Sequence, residues 1–168
     1  SAIKDMASDF SREHLAPYAA QWDETSSFPI DTMKEAAKLG MAAMICKEDI
    51  GGAGLKRLDA AVVFDQPAKG CVTTSAYSPI HNMVCTIVDK YAESSLRKKW
   101  GSKLSQMEVL ASYCLTEPGS GSDAASLSTR AVVDGDDYVL TGAKAFISGG
   151  SVSDVYLCMV RTGDETHK

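Results

Sequence analysis

Tyr113-Cys114-Leu115-Thr116-Glu117-Pro118-Gly119-Ser120-Gly121-Ser122-Asp123-Ala124 is the stretch on which the reading of this 168-residue chain turns. The apolar run over 109–115 reads as a strand, which enters Pro118 and then four small residues, Gly119 to Ser122. Where side chains are this small, several backbone N–H groups lie open together. A concave turn of N–H dipoles and hydroxyls favours an anion, a diphosphate among them. Gly121 is expected at positive φ, which a β-branched residue would resist. The same residues also make an ordinary Gly/Ser turn between strands, and local chemistry by itself favours that plainer alternative. Gly119, Gly121 and Ala124 fit the G-x-G-x-x-A spacing of a dinucleotide-binding turn. Residues 125–130 are too few and too polar for the crossover helix that such a turn needs, so a nicotinamide site is not expected.

Downstream, the apolar residues come in short runs divided by turn residues. Residues 131–133, 138–140, 143–148 and 155–161 each read as a strand. Asp134-Gly135-Asp136 is a hairpin signal, because Asp and Gly tolerate positive φ, and Thr141-Gly142 marks a further break. The last strand gives way to a polar tail at Lys168, so this half is expected to be the opening part of a sheet domain.

Upstream of about residue 108 the pattern is helical. Ile3, Met6 and Phe10 recur every three to four residues, and the stripe continues towards Leu15 and Tyr18 with Pro17 as its break. Asp31 is placed to cap a helix over 32–39, with Gly40 as its left-handed stop. Gly51-Gly52-Ala53-Gly54 reads as a flexible turn. Residues 55–69 and 72–92 read as apolar helices interrupted at Pro67 and Pro79. Residues 94–104 read as a helix with Leu96, Trp100 and Leu104 on one face and Arg97, Lys98, Lys99 and Lys103 on its wet side. The expected fold is α+β: an all-α helical domain over 1–108, followed by the first part of a β-barrel-like domain over 109–168.

Composition narrows the function classes. At 45% hydrophobic and 23% charged, with no apolar run long enough to cross a bilayer, the chain is expected to be globular and outside the membrane. A net charge of -5 leaves no basic field for nucleic acid. Cys46, Cys71, Cys85, Cys114 and Cys158 are odd in number and widely spaced, so they read as small core residues rather than as disulfides or metal ligands. The first residues carry no basic, apolar leader, so any targeting segment is expected to be absent or removed. His81 reads as a hydrogen-bonded core residue rather than a base, and His14 and His167 as surface residues. Glu117 and Asp123 are expected to bond backbone rather than to form a carboxylate pair.

Residues Tyr113 to Asp123 resemble the acyl-CoA dehydrogenase signature, Y-C-x-T-E-P-x-x-G-S-D, and Gly142-Ala-Lys-Ala-Phe-Ile-Ser-Gly149 is similar to the second flavin-contacting strand of that family. Two matches in the right order carry more than either alone. Gln21-Trp22-Asp23, Phe28-Pro29, 36–40, 51–54 and 77–83 extend the resemblance through the helical half, towards the branch that acts on short, branched acyl-CoA.

The resemblance implies FAD as cofactor, lined by Tyr113, Cys114, Leu115, Thr116, Glu117, Pro118, Gly119, Ser120, Gly121 and Ser122 and by Phe146, Ile147 and Ser148. It puts Thr116 near the flavin ring and Ser122 near both the diphosphate and the bound acyl-CoA. Many relatives carry Trp and Thr where this sequence has Phe146 and Ser148. The activity implied is α,β-dehydrogenation of a short branched acyl-CoA, isobutyryl-CoA foremost, in valine and branched-chain amino acid degradation. The base would be a glutamate of a carboxy-terminal domain, so no catalytic residue and no metal are expected in this sequence. Electron-transfer flavoprotein as electron acceptor, a homotetramer at full length, and a mitochondrial matrix or bacterial cytoplasmic setting follow from the same resemblance. A non-catalytic flavin- or CoA-binding scaffold would share all of these motifs.

Overall fold

A computed structural model describes residues 1–163; the expectations placed on His167 and Lys168 lie outside the described residues. Helix α1 (Ala2–Phe10) runs directly into one π turn, Ser11–Leu15, closed by the Ala16 N–H on the Ser11 carbonyl at 2.9 Å. Widening that turn brings residues five apart towards one face, which is how Phe10 and Leu15 are both buried although their spacing does not fit an α-helix. Pro17 follows as the break. Tyr18 leaves the stripe, 47% exposed, and stacks on Trp22. After α2 (Ala19–Glu24), helix α3 (Ile30–Lys38) starts behind Pro29. Asp31 is therefore inside the first turn and makes no side-chain cap bond, contrary to expectation; its charge still suits the positive end of the helix. Gly40 takes the left-handed stop, at φ +79.

The Gly51–Gly54 turn is tightly held rather than flexible. Gly52, Ala53, Gly54 and Leu55 donate backbone bonds to Lys47, Ala43, Cys46 and Met44, and a Cβ on Gly52 would collide with the Cys46 carbonyl. Helix α4 (Arg57–Asp65) ends before Pro67, which opens a short 3-10 turn, as the sequence indicates. Helix α5 (Val72–Tyr91) does not break at Pro79. Proline costs a helix one backbone bond and adds a clash, but α5 packs against α4, α6 and β1, and that packing holds it continuous.

Asn82 of α5 grips the preceding loop, accepting from Met44 N and donating to Met41 O, both at 2.8 Å. Helix α6 (Ser94–Ser105) packs along α5. Arg97 is not on its wet side: it bonds Asp49 at 2.6 Å and the buried Asp89 at 2.7 Å, which hold the guanidinium above its usual range. Cys46, Ile50, Val84, Cys85 and Leu104 form one buried cluster. Hiding a leucine such as Leu104 contributes about 1.5–3 kcal/mol.

The cluster also takes in Ala111 of the strand half. There β1 (Ala111–Cys114) pairs in parallel with β4 (Val155–Cys158), and β2 (Arg130–Asp134) pairs antiparallel with β3 (Asp137–Thr141) through a turn with Gly135 at φ +63. The expected strand over 143–148 is absent. These residues fold as bends and a turn, with Phe146 at φ +56, because their hydrogen bonds go to loop and strand-end carbonyls rather than to a ladder. The strand over 155–161 is shorter than expected, and Arg161 makes only an isolated bridge to Arg130. The described residues thus form a helical domain followed by a sheet-containing part, the α+β arrangement read from the sequence. Among them no helix is long and apolar enough to cross a membrane.

Side chains of α5 join the two halves. Ala111 is fully buried, and both of its backbone groups are taken: its N–H donates to His81 Nδ1 at 3.2 Å and its carbonyl accepts from Tyr77 at 3.1 Å. His81 must then carry its proton on Nε2, which faces the Leu104 carbonyl at 2.9 Å. Burial lowers its pKa, so it is a neutral core histidine, as the sequence reading held.

Candidate functional site

The two stretches singled out in sequence, 113–122 and 146–148, meet in space. The Ala145 N–H donates to the Thr116 carbonyl at 2.9 Å, Lys144 Nζ donates to the Leu115 carbonyl at 3.0 Å, and Ser112 Oγ donates to the Ser148 carbonyl at 2.6 Å. Glu117 closes the arrangement. Its carboxylate accepts from Lys144 Nζ at 2.8 Å, from the Ser128 N–H and hydroxyl at 2.6 and 2.7 Å, and from the Thr129 N–H at 2.9 Å. Lys144 first, then the donors of residues 128 and 129, hold this carboxyl well below the usual carboxylate range. It is ionised and fully bonded, so it has no capacity left to act as a base. Asp123 likewise bonds locally, to the Ser126 hydroxyl. Glu117 thus takes backbone donors as the sequence reading held, whereas the Asp123 carboxylate accepts from a side-chain hydroxyl instead.

The turn itself is built on Glu117 and Ser120, which exchange backbone bonds at 2.9 and 3.1 Å, while Ser120 Oγ donates to the Asp123 carbonyl. Gly121 does not have positive φ, and a Cβ on Gly119 or Gly121 would meet nothing within 4 Å. Neither glycine is demanded by the backbone of this chain. Their smallness leaves open space in front of the turn instead. The N–H groups of Gly121 and Ser122 have no acceptor among the described residues. The hydroxyls of Thr116, Ser122 and Ser148 likewise have no partner among them.

Pro118, Gly119, Gly121 and Ser122 are exposed; Tyr113, Leu115, Thr116 and Ile147 are half-buried. Phe146 is 93% exposed, its ring presented to solvent by a left-handed backbone. Cys114 faces inward beside Cys158, burial pushes its thiol up to about 11, and its carbonyl accepts from the Met159 N–H at 3.0 Å, so its part in the site is structural. Sequence reasoning missed Lys144 and Ser112, which do the joining. Both lie within or beside the recognised stretches, but no spacing rule links Lys144 to Glu117 across 27 positions.

Free hydroxyls, open N–H groups and a bare aromatic face on one patch fit a ligand with a flat, partly apolar ring and an anionic linker, which is the composition of FAD. Among the described residues no cluster of three or more His, Cys, Asp or Glu is disposed to hold a metal.

Comparison with known proteins bears on the family of the chain. Residues 1–108 match the acyl-CoA dehydrogenase N-terminal domain, and residues 112–168 match the acyl-CoA dehydrogenase middle domain. The chain is 53% identical over 163 residues to mitochondrial isobutyryl-CoA dehydrogenase of Dictyostelium discoideum, and 50% identical over 161 residues to that of Bos taurus. These alignments take in 97% and 96% of the chain but 39% of either relative, so the chain spans well under half their length. Among solved structures, a glutaryl-CoA dehydrogenase from Mycobacterium smegmatis in complex with FADH2 superposes with a TM-score of 0.91 at 25% identity, over 97% of this chain and 42% of that one.

Proposed function

The chain belongs to the acyl-CoA dehydrogenase family, and we propose that a protein carrying it binds FAD across residues 113–122 and 146–148 and dehydrogenates a short, branched acyl-CoA, isobutyryl-CoA foremost. The observation that carries this reading is the bonding of 144–148 onto 112–117, which puts an exposed aromatic ring, two free hydroxyls and an open turn on one patch. We place the boundary between the helical and the FAD-contacting domain at 108/109.

Bound there, FAD would supply a ring that accepts hydride from the β-carbon of the thioester. This chain's residues do the holding. The Phe146 ring packs on the flavin face, and the Thr116 and Ser148 hydroxyls bond its polar edge, where a donor stabilises charge as the ring accepts electrons. Tyr113, Cys114, Leu115, Glu117 and Pro118 shape the wall, largely through backbone. Gly119, Ser120 and Gly121 keep room for the diphosphate, and the open N–H groups of Gly121 and Ser122 face it. Ser122 also reaches the acyl-CoA. Proton removal from the α-carbon is assigned to none of the described residues, since the one buried carboxylate of the patch, Glu117, is locked in its ion pair.

The similarity to mitochondrial relatives supports a mitochondrial matrix setting, or the cytoplasm of a bacterium, with a role in valine degradation. Electron-transfer flavoprotein as electron acceptor and a homotetrameric full-length protein belong to the same proposal.

Rapid mixing of the full-length protein with isobutyryl-CoA tests the assignment. Flavin bleaching is expected, and Ser148→Ala is expected to slow it about fivefold, the effect of one hydrogen bond of about 1 kcal/mol, with a smaller effect on acyl-CoA affinity. An unchanged rate in the variant would remove Ser148 from the flavin edge.

A further inference from the structure

Beside the residues assigned to FAD, the structure brings together the hydroxyls of Tyr77, Ser112 and Ser153, a grouping that no sequence spacing indicated. Tyr77 on α5 is 2% exposed, sits edge-on to Phe28 with ring centroids 4.8 Å apart, and donates its hydroxyl proton to the Ala111 carbonyl at 3.1 Å. Burial pushes that hydroxyl up to about 12, so it stays a donor at any physiological pH. The Ser153 hydroxyl lies beside it and is 2.7 Å from the Ser112 hydroxyl, which donates to the Ser148 carbonyl at 2.6 Å.

Counting protons orders the chain. The Tyr77 proton is spent on Ala111 and the Ser112 proton on Ser148. The Ser153 proton can go to Ser112 or to Tyr77, so one of those two contacts holds it at a time, and Tyr77 acts on Ser112 chiefly by fixing the carbonyl of its chain neighbour Ala111. The chain ends on a turn with no slack. Gly149 has φ +80, and a Cβ there would stand 2.5 Å from the Tyr77 ring, 2.8 Å from Ser153 Oγ and 3.0 Å from Ser112 Oγ.

The backbone closes this turn without help from the hydroxyls: Val152 and Ser153 N–H donate to the Gly149 carbonyl, and Gly150 N–H donates to Ile147. What the hydroxyls add is a fixed orientation of the turn against α5 and β1. We propose that Tyr77, Ser153 and Ser112 are positioning residues for the flavin, their hydroxyl bonds to Ala111, to each other and to Ser148 setting where the Ser148 side chain and the Phe146 ring stand. The inference rests on the FAD reading above. None of the three touches the flavin in it; they act through Ser148.

The test uses the full-length protein with four substitutions: Ser112→Ala, Ser112→Thr, Tyr77→Phe, and Thr74→Val as a control. Thr74 is a buried hydroxyl on the same helix that bonds only the Cys71 carbonyl, at 3.2 Å. The readouts are the visible absorption spectrum of bound flavin and the FAD dissociation constant. Ser112→Ala is expected to shift the flavin bands and weaken FAD about fivefold, the effect of one lost hydrogen bond. Tyr77→Phe, which keeps the ring, should move both readouts the same way by less. Ser112→Thr should restore them, and Thr74→Val should leave the spectrum alone. If Ser112→Ala does not fold, Tyr77→Phe decides. Spectrum and affinity unchanged in every folded variant that lacks a hydroxyl of the chain would overturn the proposal. A wild-type protein that binds no flavin would instead remove the FAD reading beneath it.

Discussion

In the helical part Leu15, Met33 and Leu104 are each 1% exposed, whereas on the β2–β3 hairpin Val132, Val133, Tyr138 and Leu140 are 63, 65, 61 and 51% exposed. The helices also show Leu58, Val72 and Tyr91 to solvent, but as scattered single side chains, whereas on the hairpin Val133, Tyr138 and Leu140 share one face and Val132 and Val139 the other. The helices hold one another by burying apolar clusters. The site-bearing loops are held by directed polar bonds: Glu117 on Lys144 and on residues 128 and 129, Arg161 on the Leu127 and Ala125 carbonyls, Ser112 on Ser148. Apolar burial tolerates small shifts, but a hydrogen bond is lost within a fraction of an ångström. The part of the chain that must present groups at defined positions is the part built on such bonds.

The largest contrast should appear on core truncation. Leu104→Ala is expected to lower unfolding free energy by about 2–5 kcal/mol, since it removes buried methyl groups and leaves a cavity. Leu140→Ala, half exposed, should change it by less than about 0.5 kcal/mol. Urea denaturation compares them, and equal losses would erase the distinction between the two regions.

Acid should separate the regions next. His81 has its pKa lowered by burial, so the unfolded chain takes that proton first. Its contribution is intact above the ordinary histidine value of about 6.5 and is lost as pH falls below it. The Glu117 carboxyl is also lowered, chiefly by Lys144, so its contribution is present above about 4.3 and lost as pH falls further. Stability followed from pH 8 downward should therefore decline in two stages. Glu117→Gln should shrink the lower stage, to which Asp49 and Asp65, lowered by Arg97 and Lys69, also contribute, and leave the upper. Loss of the upper stage in that variant would mean that the seam and the site titrate as one unit.

A smaller effect is expected at Phe146, 93% exposed with φ +56. Phe146→Gly should alter the stability of flavin-free protein by less than about 0.5 kcal/mol, since no packing is lost and a left-handed backbone is relieved, while FAD retention falls. Thermal unfolding with and without added FAD separates the two effects. A large loss in the flavin-free protein would show that the ring serves the fold.

Much of this was legible in the sequence, for identifiable reasons. Apolar periodicity found α1, α5 and α6, and turn chemistry found Gly40 and the Gly135 hairpin. Two readings failed locally, the Asp31 cap and the positive φ at Gly121, and others failed where tertiary contacts decide. Pro79 stays inside α5 because packing against the neighbouring elements offsets its cost, and Arg97 leaves solvent because Asp49 and Asp89 are brought to it from elsewhere in the chain. Residues 143–148 have a strand's composition but are drawn into bends by Thr116, Leu115 and Ser112. The site segments were visible as motifs; their joint, Glu117 to Lys144, spans a sequence distance over which no periodicity operates.

The most direct measurement is a titration of FAD into flavin-stripped full-length protein, wild type against Lys144→Met. If the two segments form one site only when Lys144 joins them to Glu117, the variant should keep its helical circular dichroism yet bind FAD more than about tenfold more weakly, because an unpaired buried carboxylate drives the loops apart. Equal affinity in the two proteins would show that residues 113–122 and 146–148 are held to the flavin by something other than this ion pair.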